Sequence, residues 1–420
     1  GLDDLAANGD WWGVAESCRR QLQLEPANGA LLCNQANALW LHDQPQAALP
    51  LAQQAVACAP LLPQVWSCLG NVLLDLGAFE RSLEAYNRCQ QLGANPVVDW
   101  NCSKVLLALG RYDEAYAHAE QRFSNAALTF ARPGPYWQGW PQAQQLWVWS
   151  EEGFGDVLQH LRWLVPLLQQ GRQLCLELEP ALVELVRQGL AWAGGALQVC
   201  ERTAEPRALP PGSCQGSLLS LPLLLGGAPQ PSVAPYLRLS CEGPAPPHGR
   251  RPRVGLVWAS GRFLDGAVPE REYYRKSLLG PPLRSLLNGL AQRPLELVAL
   301  QHGPDREPPP WLGRFAAELS PQADFAATAV VMQQLDLVIS VDTAAAHLAG
   351  ALGLPVWTLL PWSAEARWGR EATTPWYPGM RLLRQPQPQD WYGLVRLLLG
   401  HLDVWLGRWA AGQSSANSCS

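Results

Sequence analysis

Residues 337–355 read LVISVDTAAAHLAGALGLP and decide the fold of this chain. The apolar run 337–341 predicts a buried strand, and the alanine-rich run after Asp342 and Thr343 predicts a helix. Small side chains in the first turn of a helix leave its backbone N–H groups accessible, and the helix dipole favours an anion there. The turn therefore indicates a binding site for a diphosphate. His347 lies in the same helix, where a ligand contact and a structural role are equally compatible with the sequence.

A second strand-to-helix turn stands at residues 149–159, which read WSEEGFGDVLQ. Gly153 and Gly155 separate a strand from an amphipathic helix, and Asp156 stands at the start of that helix. An aspartate there is typical of an N-cap, whose carboxylate accepts a backbone N–H bond. It is also placed to face a cleft, because ligands of parallel α/β sheets bind at the carboxyl ends of the strands. The spacing leaves both roles open.

Short apolar strands and helices alternate from residue 146 onward, which predicts parallel sheets in two α/β lobes, 146–240 and 253–410. A proline- and glycine-rich stretch separates the lobes. The predicted strands are 146–150, 174–177, 197–200, 254–259, 295–301, 337–341 and 356–360. The predicted helices are 156–170, 181–190, 281–291, 327–335 and 343–352, with a terminal helix before a disordered tail, 411–420.

The first third of the chain is a repeat. Four copies begin at Gly9, Asp43, Gly77 and Gly110, at steps of 34, 34 and 33 residues. A compact residue follows each start by five positions, and these residues are Val14, Ala48, Ser82 and Ala115. The pattern resembles the tetratricopeptide repeat, which predicts stacked antiparallel helices over 1–122 and a linker over 123–145. The groove of such an array holds an acceptor or a partner, or else the array forms a dimer contact or braces the domain behind it.

Composition excludes several classes of function. The net charge is −5 over 420 residues and there is no basic tract, so nucleic acid is not an expected partner. The 11 cysteines contain no CxxC pair, which argues against zinc and disulfides and favours a cytoplasmic location. The apolar runs are too short for a membrane span.

The run from Asp342 to Pro355 resembles the signature D-[ST]-x3-H-x-A-x-A-x-G-x-P of heptosyltransferase-like, family nine glycosyltransferases. Residues 155–158 are similar to the N-terminal Gly-Asp motif of that family. Bacterial tetratricopeptide–glycosyltransferase fusions carry further elements that stand here as 376–378, Trp-Tyr-Pro, and 384–385, Arg-Gln. The resemblance covers most of 145–395. It implies a fold of α-helical tetratricopeptide repeats followed by an α/β GT-B domain, whose two Rossmann-like lobes contain parallel sheets.

The same resemblance implies roles for individual residues. Asp156 becomes the candidate general base. The candidate nucleotide-binding residues are Gly155, Ser260, Gly261, Arg262, Arg275, Lys276, Gln301, Asp342, Thr343, Ala344 and His347. Ser277 completes a basic-Ser element with the two cations before it, but the spacing leaves open which of Arg262, Arg275 and Lys276 meets the phosphates. Lys276 is also compatible with a solvated cation at a helix start.

The expected activity is inverting sugar transfer from a nucleotide-diphosphate donor, with a UDP-sugar as the best guess, to a hydroxyl of a protein or glycan. No Asp-x-Asp motif stands at a strand end, so neither a metal ion nor a further cofactor is expected. The repeats are expected to aid acceptor or partner binding, or self-association. The alternative is a non-catalytic repeat scaffold that carries a degenerate nucleotide-sugar-binding domain.

Overall fold

A computed structural model describes residues 2–417 apart from 94, 125–133, 140–144, 204, 206, 230–232, 241–248, 262–266, 304–316 and 321–322. In the described residues, helical repeats are followed by two α/β lobes, each built around a parallel sheet. The predicted fold class is confirmed in its architecture, which is an array of helical repeats before two lobes with parallel sheets.

The repeat array consists of consecutive helices that each pack against the next. They are α1 (Leu2–Ala7), α2 (Trp11–Leu22), α3 (Gly29–Leu41), α4 (Pro45–Cys58), α5 (Pro63–Asp75), α6 (Phe79–Leu92), α7 (Pro96–Ala108) and α8 (Tyr112–Ala119). A short 3₁₀ turn, Glu120–Ser124, ends the array. The helices follow the period that the sequence predicts.

The four repeat starts share one backbone turn. The φ angle is 69° at Gly9, 57° at Asp43, 72° at Gly77 and 71° at Gly110. Glycine is favoured in this left-handed conformation because it has no Cβ to clash. Asp43 adopts the conformation despite its side chain, which makes contacts outside the array that are described below. The compact residues five positions after each start are all buried between helices.

Helices α5 and α6 approach each other closely at Gly70. The Ser82 hydroxyl donates to the Gly70 carbonyl over 2.7 Å. The fully buried Tyr86 ring covers the same position, so that a Cβ added to Gly70 would lie 2.4 Å from the ring. The Tyr86 hydroxyl is itself bonded to Asn71 Oδ1 at 2.7 Å, which fixes the ring. This helix pair therefore requires the absence of a side chain at residue 70.

The first lobe contains a four-stranded parallel sheet. Its strands are β1 (Gln145–Trp149), β2 (Leu174–Leu178), β3 (Leu197–Glu201) and β4 (Ser213–Ser217), in the order β3-β2-β1-β4. Its helices are α9 (Phe154–His160), α10 (Leu164–Gln169), α11 (Pro180–Gly189) and α12 (Leu221–Leu225). Part of the expected linker pairs with this sheet, since the Trp137 N–H donates to the Gln215 carbonyl over 2.8 Å.

The second lobe contains a six-stranded parallel sheet. Its strands are β5 (Arg253–Val257), β6 (Glu296–Ala299), β7 (Ala317–Glu318), β8 (Leu337–Val341), β9 (Val356–Leu360) and β10 (Met380–Arg384), in the order β10-β9-β8-β5-β6-β7. Its helices are α13 (Ala267–Lys276), α14 (Gly280–Ala291), α15 (Phe325–Met332), α16 (Ala344–Ala351) and α17 (Trp391–Asn417). One face packs on α14 and α17, and the other shares a core with the first lobe.

The sequence pattern missed several elements. Strands β4, β7 and β10 and helix α13 were not expected. The predicted helix 156–170 is split at the 3₁₀ turn Leu161–Trp163, because Pro166 has no N–H to continue the ladder. The tail expected over 411–420 is wrong as far as residue 417, where α17 ends. Residues 418–420 lie outside the described residues.

The packing at Gly70 generates a first prediction. Gly70→Ala should destabilise the protein by about 1–3 kcal/mol, because the new methyl group overpacks against a fixed aromatic ring. Urea unfolding followed by far-UV circular dichroism measures the change. Gly400→Ala is the matched control, since that glycine is exposed in α17 and a Cβ there meets no atom within 4 Å. The control should be neutral or slightly stabilising. Equal effects of the two substitutions would refute the packing argument.

Candidate functional site

A cleft of about 710 Å³ lies between the two lobes, at the carboxyl ends of their strands. Its lining brings together most of the residues that the sequence singled out. They are Gly155, Asp156, Ser260, Gly261, Lys276, Asp342, Thr343, Ala344 and His347. Carboxylates that the sequence analysis did not consider also line it, namely Glu152, Glu270, Glu272 and Glu365. The cleft is therefore rich in acidic side chains, with Lys276 and Arg367 as the cations among its described lining residues.

Asp156 lies in the first turn of α9 but does not cap it. The N-cap position is Gly153, where no side chain makes a capping bond. The Asp156 carboxylate instead reaches across the cleft, and its Oδ1 accepts a bond from Arg367 Nη2 over 2.6 Å. The capping interpretation of Asp156 is thus wrong, and the carboxylate faces the second lobe.

The ion pair with Arg367 sets the charge state of Asp156. Burial by itself would raise the pKa of this carboxyl, but the Arg367 guanidinium outweighs burial and holds the pKa below its ordinary value. Asp156 is thus ionised at neutral pH. Its Oδ2 has no hydrogen-bond partner among the described residues, and the side chain is 26% exposed. The carboxylate is oriented through one oxygen and accessible through the other.

Two glutamates precede this turn and have different environments. Glu151 is buried, and its Oε1 binds Arg122 over 2.7 Å and also the Ser217 hydroxyl. Glu152 adopts a φ of 63° and faces the cleft. Although Glu152 is accessible from the cleft, desolvation by the surrounding protein, together with the charges of Asp156 and Glu151, raises its pKa to about 7. Glu152 is a second carboxylate that can take up a proton near neutral pH.

The Asp342 turn connects β8 to α16 as the sequence predicts. Thr343 occupies the N-cap position without making a side-chain cap, so the first N–H groups of α16 are not covered by a hydroxyl. Opposite, Gly155 packs so closely that an added Cβ would lie 2.9 Å from His347 Cδ2. The amino ends of α9 and α16 therefore meet across the cleft.

His347 has a structural role in addition to lining the cleft. Its Nδ1 lies 2.8 Å from the Tyr377 hydroxyl, and its ring stacks on Trp368 with centroids 5.1 Å apart. Burial lowers the pKa of His347 to about 4, so the ring is neutral near pH 7. The two roles that the sequence left open are compatible in one residue.

Lys276 ends α13 and points into the cleft. Its Nζ lies 3.2 Å from Asp342 Oδ2 and 3.5 Å from Glu365 Oε2. Burial by itself would lower the pKa of Lys276, but these carboxylates outweigh burial and raise it. The interpretation as a solvated helix-start cation is wrong, since the side chain is 17% exposed and stands at a helix end. Lys276 is therefore a charged group beside the Asp342 turn.

Two further candidates, Arg275 and Gln301, lie outside the cleft lining. Arg275 turns away from it and binds Glu272 over 2.6 Å. Gln301 is buried, and its Oε1 accepts the N–H groups of Trp258 and Ala259, each over 2.9 Å. Gln301 thus positions the loop that carries Ser260 and Gly261 rather than lining the cleft itself. Arg262 lies outside the described residues.

Arg367 and Glu365 were missed by the sequence analysis. They follow β9, and the carboxyl-end rule for parallel sheets is the signal that points to this loop. The sequence elements 376–378 and 384–385 hold this loop in place. Trp376 Nε1 donates to the Arg367 carbonyl over 2.9 Å, and Arg384 Nη2 donates to the Gly369 carbonyl over 2.6 Å. The loop is therefore held by side chains that follow the bonded residues by 9 and 15 positions.

The described residues contain neither a candidate metal site nor a candidate membrane span. No group of three or more His, Cys, Asp or Glu side chains in the described part of the chain is arranged to hold a metal ion. Among the helices described, none combines the length and the apolar character that crossing a membrane requires.

Comparisons with known proteins agree with the resemblance. Residues 308–389 match the profile of glycosyltransferase family 9 (heptosyltransferase), and residues 15–95 match that of ChAPs (Chs5p-Arf1p-binding proteins). The matched part of the C-terminal lobe is thus similar to a glycosyltransferase domain. Protein FlbA of Caulobacter vibrioides is 25% identical over 427 residues, which cover 91% of this chain and 66% of FlbA. The chain spans about two thirds of the length of that relative.

Two solved structures resemble separate parts of the chain. Escherichia coli ADP-heptose heptosyltransferase II is 13% identical, with 63% of this chain and 99% of that chain covered at a TM-score of 0.42. The MamA protein is 18% identical, with 29% of this chain and 68% of that chain covered at a TM-score of 0.28.

Buried neutral histidines generate a pH prediction. Burial lowers the pKa of His160 to about 3, well below the ordinary value of about 6.5. Below about pH 6.5 His160 is protonated in the unfolded chain but stays neutral in the folded protein. The free energy of unfolding therefore falls as pH falls. Each such histidine contributes a slope of up to about 1.4 kcal/mol per pH unit. Melting temperatures between pH 7.5 and 5 should fall less steeply for His160→Gln than for the parent protein. Parallel curves would contradict the assignment of a neutral His160.

Proposed function

We propose that this protein is an inverting glycosyltransferase that moves a sugar from a nucleotide-diphosphate donor to a hydroxyl of a protein or glycan acceptor. The observation that carries the proposal is the opposition of Asp156 to the amino end of α16 across one cleft. The family 9 match over residues 308–389 supports the same reaction class. A UDP-sugar is the proposed donor, and neither a metal ion nor another cofactor takes part in the proposed reaction.

The donor diphosphate is assigned to the turn Asp342–Ala344. Unpaired backbone N–H groups and the dipole at a helix start favour an anion. Lys276 stands beside this turn and remains charged, so it offsets the negative charge that develops on the leaving diphosphate. The Ser260 N–H, fixed by a 3.0 Å bond to Ser277 Oγ, places the neighbouring loop against the same space. These groups all belong to the second lobe.

The acceptor is assigned to the first lobe, where Asp156 is the proposed general base. An ionised carboxylate with one accessible oxygen can accept the proton of an acceptor hydroxyl as that hydroxyl attacks the anomeric carbon. Direct displacement from the face opposite the leaving diphosphate inverts the configuration. The glycines at 153 and 155 leave room for a substrate beside the backbone. Arg367 keeps the carboxylate aimed across the cleft.

The repeats are proposed to aid acceptor or partner binding, or self-association, and the reaction is proposed to occur in the cytoplasm. The free thiols of cysteines in the described residues, such as Cys18, Cys68 and Cys102, suit a reducing compartment.

The donor assignment is tested by thermal shift with UDP, ADP, GDP, CDP and dTDP. A nucleotide that binds only the folded state raises the melting temperature by mass action. We expect UDP to give the largest shift, and Lys276→Met to reduce that shift. If no member of the panel stabilises the protein, the donor site is refuted. A nucleotide that binds although no nucleotide sugar is ever turned over would favour the non-catalytic scaffold.

The base assignment is tested by Asp156→Asn. The amide keeps the size of the side chain but cannot accept a proton, so turnover should fall about 10²–10⁴-fold while nucleotide binding survives. Transfer, or donor hydrolysis to the nucleoside diphosphate, measures turnover. Asp324→Asn is the matched control, because Asp324 caps α15 through the Ala327 N–H and lies outside the cleft lining.

Glu152→Gln separates the two carboxylates of the first lobe. It should leave most of the activity intact if Asp156 is the base. A large loss in Glu152→Gln together with near-normal turnover in Asp156→Asn would transfer the role to Glu152.

A further inference from the structure

Helix α13 lies between the repeat array and the cleft. One side presents Lys276 and Tyr273 to the cleft lining. The other side presents Arg271, which is 3% exposed, to the repeats. A single helix of ten residues thus contacts both parts of the protein.

The repeat side of α13 is held by a buried charge cluster. Arg271 binds the Asp75 carboxylate, lies 3.2 Å from Asp43 Oδ1 and covers the Trp40 ring at 4.4 Å. Asp75 also accepts a bond from Trp40 Nε1 over 2.7 Å and lies 3.6 Å from Arg275. Two arginines of α13 therefore share one carboxylate at the end of α5.

The same cluster continues to the cleft. Arg275 binds both oxygens of Glu272 at 2.6 Å, and Glu272 Oε2 lies 3.9 Å from Lys276 Nζ. Arg275 also donates to the Ser363 carbonyl, at the base of the loop that carries Glu365 and Arg367. The charges that fix α13 on the repeats thus connect to those that surround the cleft.

The repeats also contact the loop that carries Glu365 and Arg367. Arg370 lies over the Phe79 ring at 5.9 Å, and Gly77 packs so tightly against its guanidinium that a side chain there would collide with it. Helix α7 also packs against the segment Ala366–Trp368. The repeats therefore contact both segments that supply cations to the cleft.

From these contacts we propose that the repeat array is a structural part of the donor half of the cleft, with Asp75 as the positioning residue that fixes α13 and thereby Lys276. Removal of one partner from a buried ion pair leaves the other charge less well compensated and is destabilising. Loss of the Asp75 charge leaves Arg271 and Arg275 to rearrange, and Lys276 moves with them. The proposal assigns to the repeats a task that is separate from acceptor binding, and it rests on the proposed donor site.

The test uses Asp75→Asn in the full-length protein. Hydrogen–deuterium exchange should become faster in residues 267–277, and the Kd for UDP, or for the panel nucleotide that stabilises the protein most, should rise about 10-fold. Asp99→Asn is the matched control, since Asp99 pairs with His118 within the repeats at 3.0 Å. The control should change neither quantity.

A double-mutant cycle distinguishes positioning from general destabilisation. Asp75→Asn and Arg271→Gln should be strongly non-additive in nucleotide affinity, because the double variant pairs two neutral amides. Additive effects, or exchange and affinity in Asp75→Asn equal to those of the parent, would overturn the proposal. The exchange measurement does not depend on a nucleotide. Suppose that exchange in α13 becomes faster in Asp75→Asn but the parent protein binds no nucleotide. That result would refute the proposed donor site and would still support the contact between the repeats and α13.

Discussion

The pairing of Arg367 with carboxylates from both lobes is the interaction on which the cleft depends. Its guanidinium binds Asp156 and Gln159 of α9 and also Glu365 of its own loop. A buried guanidinium is costly unless carboxylates compensate its charge. The position of α9 against the second lobe therefore depends on the ion pair between Asp156 and Arg367. The close approach of Gly155 to His347 follows from that position, because the two helix starts are drawn together.

The sequence predicted the repeat turns and the strand-to-helix turns, because residues close together in the chain determine these features. The repeat period located the four left-handed turns, since helix pairs of one length recur with one turn geometry. The strand-to-helix turns at Asp156 and Asp342 were located by the change from an apolar run to a helix start. Strand β4 was missed because its sequence, SCQGS, has no apolar alternation. One of its polar side chains, Ser217, donates a hydrogen bond to the buried Glu151.

The pairing of charges in the site could not be predicted from spacing. Arg275 and Lys276 are adjacent in sequence, yet one faces the repeats and the other faces the cleft. Which of them meets a ligand depends on the rotation of α13, and that rotation depends on carboxylates about 200 residues earlier in the chain. The acidic lining of the cleft disfavours the proposed anionic donor, because Lys276 and Arg367 already have carboxylate partners. Backbone donors at the start of α16 therefore matter more here than in a basic cleft.

Attachment of the repeat array at several separated points restricts how this architecture can vary. Asp43 and Asp75 contact α13, while Arg122, at the far end of the array, binds Glu151 of the first lobe. An unconstrained solenoid gains or loses whole repeats at any position, because each unit contacts only its neighbours. Here an insertion between residues 75 and 122 would move one attachment point away from its partner by the length of a repeat. Duplication or deletion of repeats in the evolution of such chains is thus compatible with this docking only ahead of Asp43.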